Sequence, residues 1–551
     1  MTNRQLPTSA TVLAAALVAL GACKPDRGGE EPILDDSYQP AEDGVIYAMS
    51  GTELDLLGKG GRLTMQSLQG TVNRQEPRIF LAIDSGESHD SDWLEYLSHN
   101  SDMGTAPEQD GLWYLWAFQD QYDGYILFQN TNRESANVAM SLAGILNAVV
   151  VDQLSQTELK LMDEELGIPQ LEDVRTWTEA DLITSEYWPQ FNNGMVMQEP
   201  FSGPETAPRD FGVTRGLPFF FDDPRDDASL PHYNHAWAQT SGDVYGWAYV
   251  DDDHSQDLFV EPLTAAGRTL TPTDKANNLS VYQHFSLDAD LAQIGMPELP
   301  EDLEDKHVIA FVMSDGDQLG AVMGRMTNPE VGNFSPTSSY PTGWTLSPSV
   351  LDLAPPVAES IYNDATDDDF MVLAASGPAL LYPSQWPDLE AWTEETVAAA
   401  AALDTTIVQV LDDPDTFGDE TLDALANEPS IGAVFFAPTT EVMDTSSFHW
   451  VGDTPIIPMR KLGFDNDLEK TADIIDEWSE DLIEIVDTDL TSGTGYTLVY
   501  ANLWKTRLTD FEGIEDELEG LVEELELDFD FEFVRPDQLV AIAKQHSVPT
   551  K

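Results

Sequence analysis

The sequence predicts an α/β protein in which smaller N-terminal α/β subdomains precede a C-terminal (β/α)8-like barrel. Three observations lead there. Strand-like apolar runs alternate with helical periods between residues 62 and 151, and a proline- and acid-rich run, Met296 to Asp305 (MPELPEDLED), then breaks the chain. Beyond it, eight more strand-like runs follow between Val308 and Val534, several separated by helical stretches.

The elements are taken in chain order. Arg4 and the short apolar stretch Ala10 to Leu20 read as a secretion signal over residues 1–22, and the stretch is too short to span a bilayer. Leu20-Gly21-Ala22-Cys23 resembles a lipobox, which implies cleavage before Cys23, acylation of its thiol, and a lipid anchor at an outer membrane or cell surface. The alternative is an ordinary signal peptide with an incidental cysteine. Residues 23–44 are rich in Pro, Gly and acid and lack a helical or strand period, so a disordered tether is expected. Cys23 is the only cysteine, which excludes structural disulfides and thiol chemistry from the folded body.

Residues 45–151 form the first expected subdomain. Arg62 to Asn73, Trp93 to Leu97 and Ser135 to Leu146 have helical spacing, while Arg78 to Ile83, Tyr125 to Phe128 and Ala148 to Val151 are apolar strands. Residues 152–295 are less regular, with strand-like pieces at Phe219 to Phe221, Val244 to Val250 and Leu279 to Phe285. From 306 to 551 the expected strands are Val308 to Met313, Gly343 to Leu346, Phe370 to Ala375, Thr406 to Leu411, Ile431 to Ala437, Pro455 to Met459, Tyr496 to Ala501 and Phe531 to Val534. Helices are expected at Leu389 to Leu403, Leu468 to Ile485 and Phe511 to Leu525. An open α/β sheet is the alternative to a barrel.

The formal charge is -75, from 100 acidic and 25 basic residues spread along the chain. Such a field argues against nucleic acid as a partner. It fits either a protein kept soluble in high salt or simply an acidic exported surface.

Several blocks resemble the GxGYxYxxP glycoside hydrolase family. Leu68 to Arg74 (LQGTVNR) followed by Pro77 to Leu81 is similar to the family's opening helix and strand; Asn137 to Gly144, Gly246-Trp247 and Asn278 to Val281 are similar to later blocks. Ser314-Asp315-Gly316-Asp317-Gln318 is similar to the family's SDGDN segment, with Gln in place of Asn. The signature itself is partial in GPALLYPSQ, 377–385: Gly377 and Tyr382 match, whereas Ala379, Leu380 and Gln385 replace its second glycine, first tyrosine and closing proline. The resemblance implies a sugar-cleaving barrel acting on a polysaccharide or oligosaccharide.

In a barrel the reactive groups sit past the C-terminal ends of the strands. That rule selects Asp315 and Asp317, the run Ser376 to Tyr382, Asp412, Asp413 and Asp415, then Glu441, Arg460, Asn502, Trp504 and Arg535. Glycoside hydrolysis needs one carboxylic acid and one carboxylate. Asp315 or Asp317 is expected to supply the first, with one pKa raised by the other's charge, and Asp413 or Glu441 the second. Tyr382, Trp344, Trp386, Trp504, Asn502 and Arg535 are the candidate sugar contacts, the tryptophans through stacking on pyranose faces. Each has a structural alternative: turn and cap for the aspartates, core packing for the aromatics, ion pairing for Arg460 and Arg535. There is no HExxH, GxSxG or Walker A pattern. His232 and His235 have no third ligand nearby, no histidine pair follows Asp317 as a zinc deacetylase requires, and Asp487, Asp489 and Thr491 only loosely match a calcium loop. No metal or cofactor is therefore expected. A noncatalytic glycan-binding lipoprotein, favoured by the partial signature, and an adhesive surface protein are the competing functions.

Overall fold

The computed structural model describes residues 38–547 apart from 86–87, 102, 202–207, 222–232, 235, 237–241, 248–256, 288–290, 329–333, 335–339, 440–447, 463–478, 480–481, 484, 504–520, 524 and 526–530. Cys23, His232, His235, Glu441 and Trp504 lie outside the described residues, as does most of the helical stretches expected at 468–485 and 511–525.

The N-terminal part holds three small parallel sheets. In the first, Val45–Ser50 lies between Ile79–Ala82 and Gly104–Ala106; in the second, Gly124–Phe128 lies between Ala148–Asp152 and Gln170–Asp173. Parallel neighbours need crossover connections, and the buried helices Gly58–Val72 and Arg133–Leu146 provide them. The second sheet runs across residue 151, so strand pairing continues past the subdomain boundary expected there. The third sheet has the order Phe219–Phe220, Met195–Met197, Val244–Gly246, Leu270–Thr271.

The segment expected as a strand at Leu279 to Phe285 is instead a short helix, Leu279–Tyr282. Its apolar content reads as a strand, but its start is fixed by long-range polar contacts. Asn278 adopts a left-handed conformation and exchanges hydrogen bonds with both backbone groups of Leu81 at 2.8 and 2.9 Å, and the carboxylate of Asp210 accepts from the Ser280 N–H at 2.8 Å. Gln69 and Asn73 donate to Asn278 and Ser280 at 2.7 and 2.9 Å. Two of the blocks singled out in the sequence, LQGTVNR and NLSV, thus meet in one buried hydrogen-bonded cluster. Burying such polar groups is tolerable only when each finds a partner.

Numbered in chain order, the parallel strands of the barrel region are β1 (His307–Met313), β2 (Thr342–Leu346), β3 (Asp369–Leu373), β4 (Ile407–Asp412), β5 (Ala433–Pro438), β6 (Thr454–Leu462), β7 (Tyr496–Ala501) and β8 (Phe531–Phe533), and a short strand, His449–Val451, pairs antiparallel with β6. All eight coincide with expected strands to within two or three residues. The closure does not follow the (β/α)8 expectation. β7 pairs with β1 along its whole length, Val308 with Tyr496 through Met313 with Ala501, and this closes a parallel barrel of seven strands. β8 lies on the other edge of β1, against His307 to Ile309, directly below β2, which takes Phe311 to Met313. A strand of three residues offers too few ladder bonds to wedge β1 and β7 apart, and it takes the half-strand edge that β2 leaves free.

Side-chain alternation sorts the core into two layers. Val308, Ala310, Val312, Val372, Phe435 and Leu498 fill the barrel interior, while Ile309, Phe311 and Met313 face outward. The helix Pro536–His546, which in a (β/α)8 barrel packs outside, contributes Leu539, Val540 and Ile542 to the interior cluster and closes the end where the strands begin. Leu299 and Leu303 of the 296–305 run pack there too. The outer layer is continuous from Ile46 and Phe80 through Tyr282 to Trp344 and Phe531, so the parts before and after that run share one core. At about 1.5–3 kcal/mol for each fully buried large apolar side chain, this shared layer stabilises both parts together.

Candidate active site

At the C-terminal mouth of the barrel, β1 runs into Ser314-Asp315-Gly316-Asp317. Asp315 has φ 63°, a left-handed conformation uncommon for a residue with a side chain. The turn is stitched to its neighbours: Ser314 N–H donates to Ala501 at 2.8 Å, Gly316 N–H to the Thr345 hydroxyl at 3.0 Å, and Ser347 N–H to the Gly316 carbonyl at 2.8 Å. A Cβ on Gly316 would lie 1.6 Å from the Thr345 carbonyl oxygen, so only glycine fits between the two aspartates.

Burial raises the carboxyl of Asp317 to about 6, offset in part by its own backbone N–H. The expected cause was the charge of Asp315; the cause found is loss of water around Asp317 itself. Both carboxylates face the buried phenol of Tyr500, which burial and their charges hold well above its ordinary value, while the backbone N–H of Asp315 donates to it. Tyr500 is therefore a proton donor at any ordinary pH. Lys461 pairs in register with Tyr500, and it extends the inward-facing series Ile457, Met459 by two residues. An ammonium, a phenol and a carboxyl of raised pKa thus share the inner rim. Sequence reading missed Tyr500, buried within an apolar strand, and Lys461, which the period of two along β6 marks as inward-facing.

The loop after β3, where the partial signature begins, is strained. Ala375, Ser376 and Gly377 have φ of 32°, 75° and 107° in succession. Ser376 replaces a strand rung: its hydroxyl accepts from Leu411 N–H at 3.0 Å and donates to the Leu411 carbonyl at 3.1 Å. Gln409 accepts from Ala375 N–H at 2.8 Å through Oε1, whereas its buried Nε2 has no partner among the described residues. Backbone strain of this kind persists only where surroundings over-determine it, and it concentrates at functional sites. Leu380 forms an antiparallel bridge with Leu270, so the signature run is held against the third N-terminal sheet.

The remaining candidates divide clearly. Asp412 is buried and saturated, accepting from Ser384 N–H and Oγ at 2.7 Å each and from Asp413 N–H at 2.8 Å. Asp413 is exposed and caps the turn at Pro414–Thr416 through Asp415 N–H. Asn502 is partly exposed just past β7, on the mouth side. Tyr382 is 3% exposed, its N–H donating to the Thr264 hydroxyl, and Trp386 is partly buried against the outer core. Two sugar-contact expectations are overturned. Trp344 is 1% exposed in the outer layer with its indole N–H on Asp369 at 2.8 Å, because alternation along β2 turns it away from the barrel interior. Arg535 is also 1% exposed, and it lies at the opposite end of the barrel, bonded to Asp537 and to the carbonyls of Asp367 and Ile294. It follows β8, which stands outside the barrel. Among the described residues no group of three or more His, Cys, Asp or Glu is arranged to hold a metal ion.

Comparison with known proteins agrees with this architecture. A solved structure described as that of "a putative hydrolase from Bacteroides thetaiotaomicron VPI-5482" superposes with a TM-score of 0.78 at 20% identity, over 94% of this chain and 98% of that one. At that identity the likeness establishes the fold. No curated protein matches. The GxGYxYP putative glycoside hydrolase C-terminal domain matches residues 305–544, the GxGYxYP_N first domain residues 47–120 and the GxGYxYP_N second domain residues 122–191. Their boundary near 121 falls where the first sheet gives way to the second. With its N-terminal and C-terminal parts both matched, the chain belongs to the family described as GxGYxYP putative glycoside hydrolase.

Proposed function

We propose that the protein is an exported, lipid-anchored enzyme that hydrolyses glycosidic bonds of a polysaccharide at the C-terminal mouth of the barrel, with Asp317 as the general acid. The carrying observation is the carboxyl of Asp317, raised to about 6 by burial at the end of β1 and facing Tyr500. An acid of that pKa still holds a proton where the leaving oxygen needs one. Tyr500 and Lys461 supply positive and donor character that a developing alkoxide requires. The second carboxylate comes from a different strand end, since neighbours on one loop do not flank both faces of a sugar. Glu441, three residues past the last residue of β5, is that group by its place in the chain, because Asp413 is already committed as a cap.

The test is turnover of a polysaccharide panel by the full folded body. Asp317→Asn should lower kcat by about 100-fold or more, the usual scale of lost proton transfer, and kcat/KM of the parent should fall as pH rises through about 6. Glu441→Gln should match it, while Asp413→Asn should change little. Binding without turnover in the parent protein assigns a glycan-binding module instead. Retained activity in Asp317→Asn moves the acid elsewhere. The anchor has its own test: acyl label on the wild-type chain that is lost in Cys23→Ala, with release from membranes.

A further inference from the structure

A groove of about 740 Å³ runs along the seam between the third N-terminal sheet and the barrel. Small-ligand sites have volumes of roughly 300–1,000 Å³. Asp243 and Tyr245 form one wall; Asp352 and Glu395, from the helices after β2 and β3, form the other, and Pro378 and Ala379 of the strained loop close it. Pro378 and Ala379 belong to the run after β3 at the mouth end, whereas Asp317, Tyr500 and Lys461 do not line the groove.

Its walls are organised in advance. The Arg215 guanidinium lies over the Phe211 ring at 5.5 Å, and Phe211 in turn meets Tyr245 edge-on at 5.0 Å, which fixes both groove residues from behind. The Thr269 hydroxyl donates to Asp243. Across the groove, Pro378 and Ala379 are held by the backbone bonds between Leu270 and Leu380, 3.1 and 2.9 Å. Asp243, Asp352, Glu395 and Arg215 are exposed, and Tyr245 is half-buried.

We propose that this groove is a second carbohydrate-binding site, distinct from the mouth, and that it takes a neutral oligosaccharide. Carboxylates accept from sugar hydroxyls, Arg215 and the Gln283 amide donate, and the partly open Tyr245 ring presents an apolar face to a pyranose. Three carboxylates against one arginine repel a uronate or sulfated chain, in a protein whose net charge of -75 already does so. A neutral chain meets no such repulsion. The site joins the N-terminal sheet to the signature loop, so a chain bound there is held beside the barrel mouth. The proposal rests on the carbohydrate reading of the family but not on Asp317.

Calorimetry of Asp317→Asn protein with the hexaoses of cellulose, xylan, mannan, laminarin, amylose and chitin decides it. At least one should bind, and Glu395→Trp and Asp352→Arg, both at exposed positions, should each weaken it by about tenfold or more. In an otherwise wild-type chain the same two substitutions should leave hydrolysis of a short aryl glycoside within about twofold, because they lie outside the mouth. Three results overturn the proposal: no neutral hexaose binds, only charged chains bind, or a bound hexaose ignores both substitutions. The calorimetry does not depend on catalysis, so loss of the mouth assignment and loss of the groove are separately visible.

Discussion

The two ends of the barrel are built from the same strands and treat polar groups in opposite ways. Where the strands begin, Arg535 is buried yet bonded on every side, to Asp537, to two carbonyls and over the ring of Phe370 at 5.5 Å, and the helix that follows it fills the interior with leucine and isoleucine. Where the strands end, burial raises the carboxyls of Asp317 and Asp412, a buried amide nitrogen has no partner among the described residues, and four residues have a left-handed backbone. The closed end spends its polar groups on stability. The open end leaves them unsettled, which costs stability and leaves chemistry available.

Three substitutions or conditions break or sharpen that contrast. The largest effect is expected at the closed end: Arg535→Met strands the Asp537 carboxylate and two carbonyls and should destabilise the fold by about 3–5 kcal/mol, read by urea unfolding. Loss below 1 kcal/mol removes the idea that this end is the stabilising one. Next, Gly316→Ala forces a methyl group onto the Thr345 carbonyl and should cost about 1–3 kcal/mol while abolishing activity, since Asp317 moves with the turn. An active Gly316→Ala protein separates the turn from the site.

The smallest effect is that of pH. Asp317 and the buried Asp90 have folded pKa values raised to about 6 and about 7. The folded state therefore holds protons that the unfolded state has released, and stability declines as pH rises from about 4 through 7. The melting temperature should be higher at pH 5.5 than at pH 8, and Asp317→Asn should remove part of the slope while raising stability at pH 8 by about 1–3 kcal/mol. A slope of opposite sign, or an Asp317→Asn protein less stable at pH 8, contradicts the assignment of burial as the cause.

Much of the fold was legible because buried parallel strands are short continuous apolar runs, and all eight in the C-terminal part lie where such runs occur. Closure was not legible. Whether Phe531–Phe533 enters the barrel or docks beside it depends on which edge is vacant in space, and a run of FEF carries no record of that. The helix at Leu279–Tyr282 was missed for a similar reason, since the groups that fix it, Leu81 and Asp210, are distant in sequence. At the site, acid residues directly after an apolar run pointed to Asp315 and Asp317. Position past a strand, which selected Arg535, says nothing of which way a side chain faces, and neither does an aromatic ring within a strand, which selected Trp344. Alternation along β2 and β6 carried the missing information: it turns Trp344 outward and Lys461 inward.

The placement of β8 also has a kinetic meaning. The barrel ladder is complete with β7, but its base is closed by residues 531–547, whose contacts reach back 168 residues to Asp367 and 241 to Ile294. Closing loops of that length is slow, and until it happens the apolar interior stays open at one end. A chain emerging from N to C terminus thus forms its walls before it acquires a floor. Folding of this protein should show a late step, with the ladder already present, in which the interior leucines and isoleucines become protected together, and any agent that captures exposed apolar surface should act before that step and not after it.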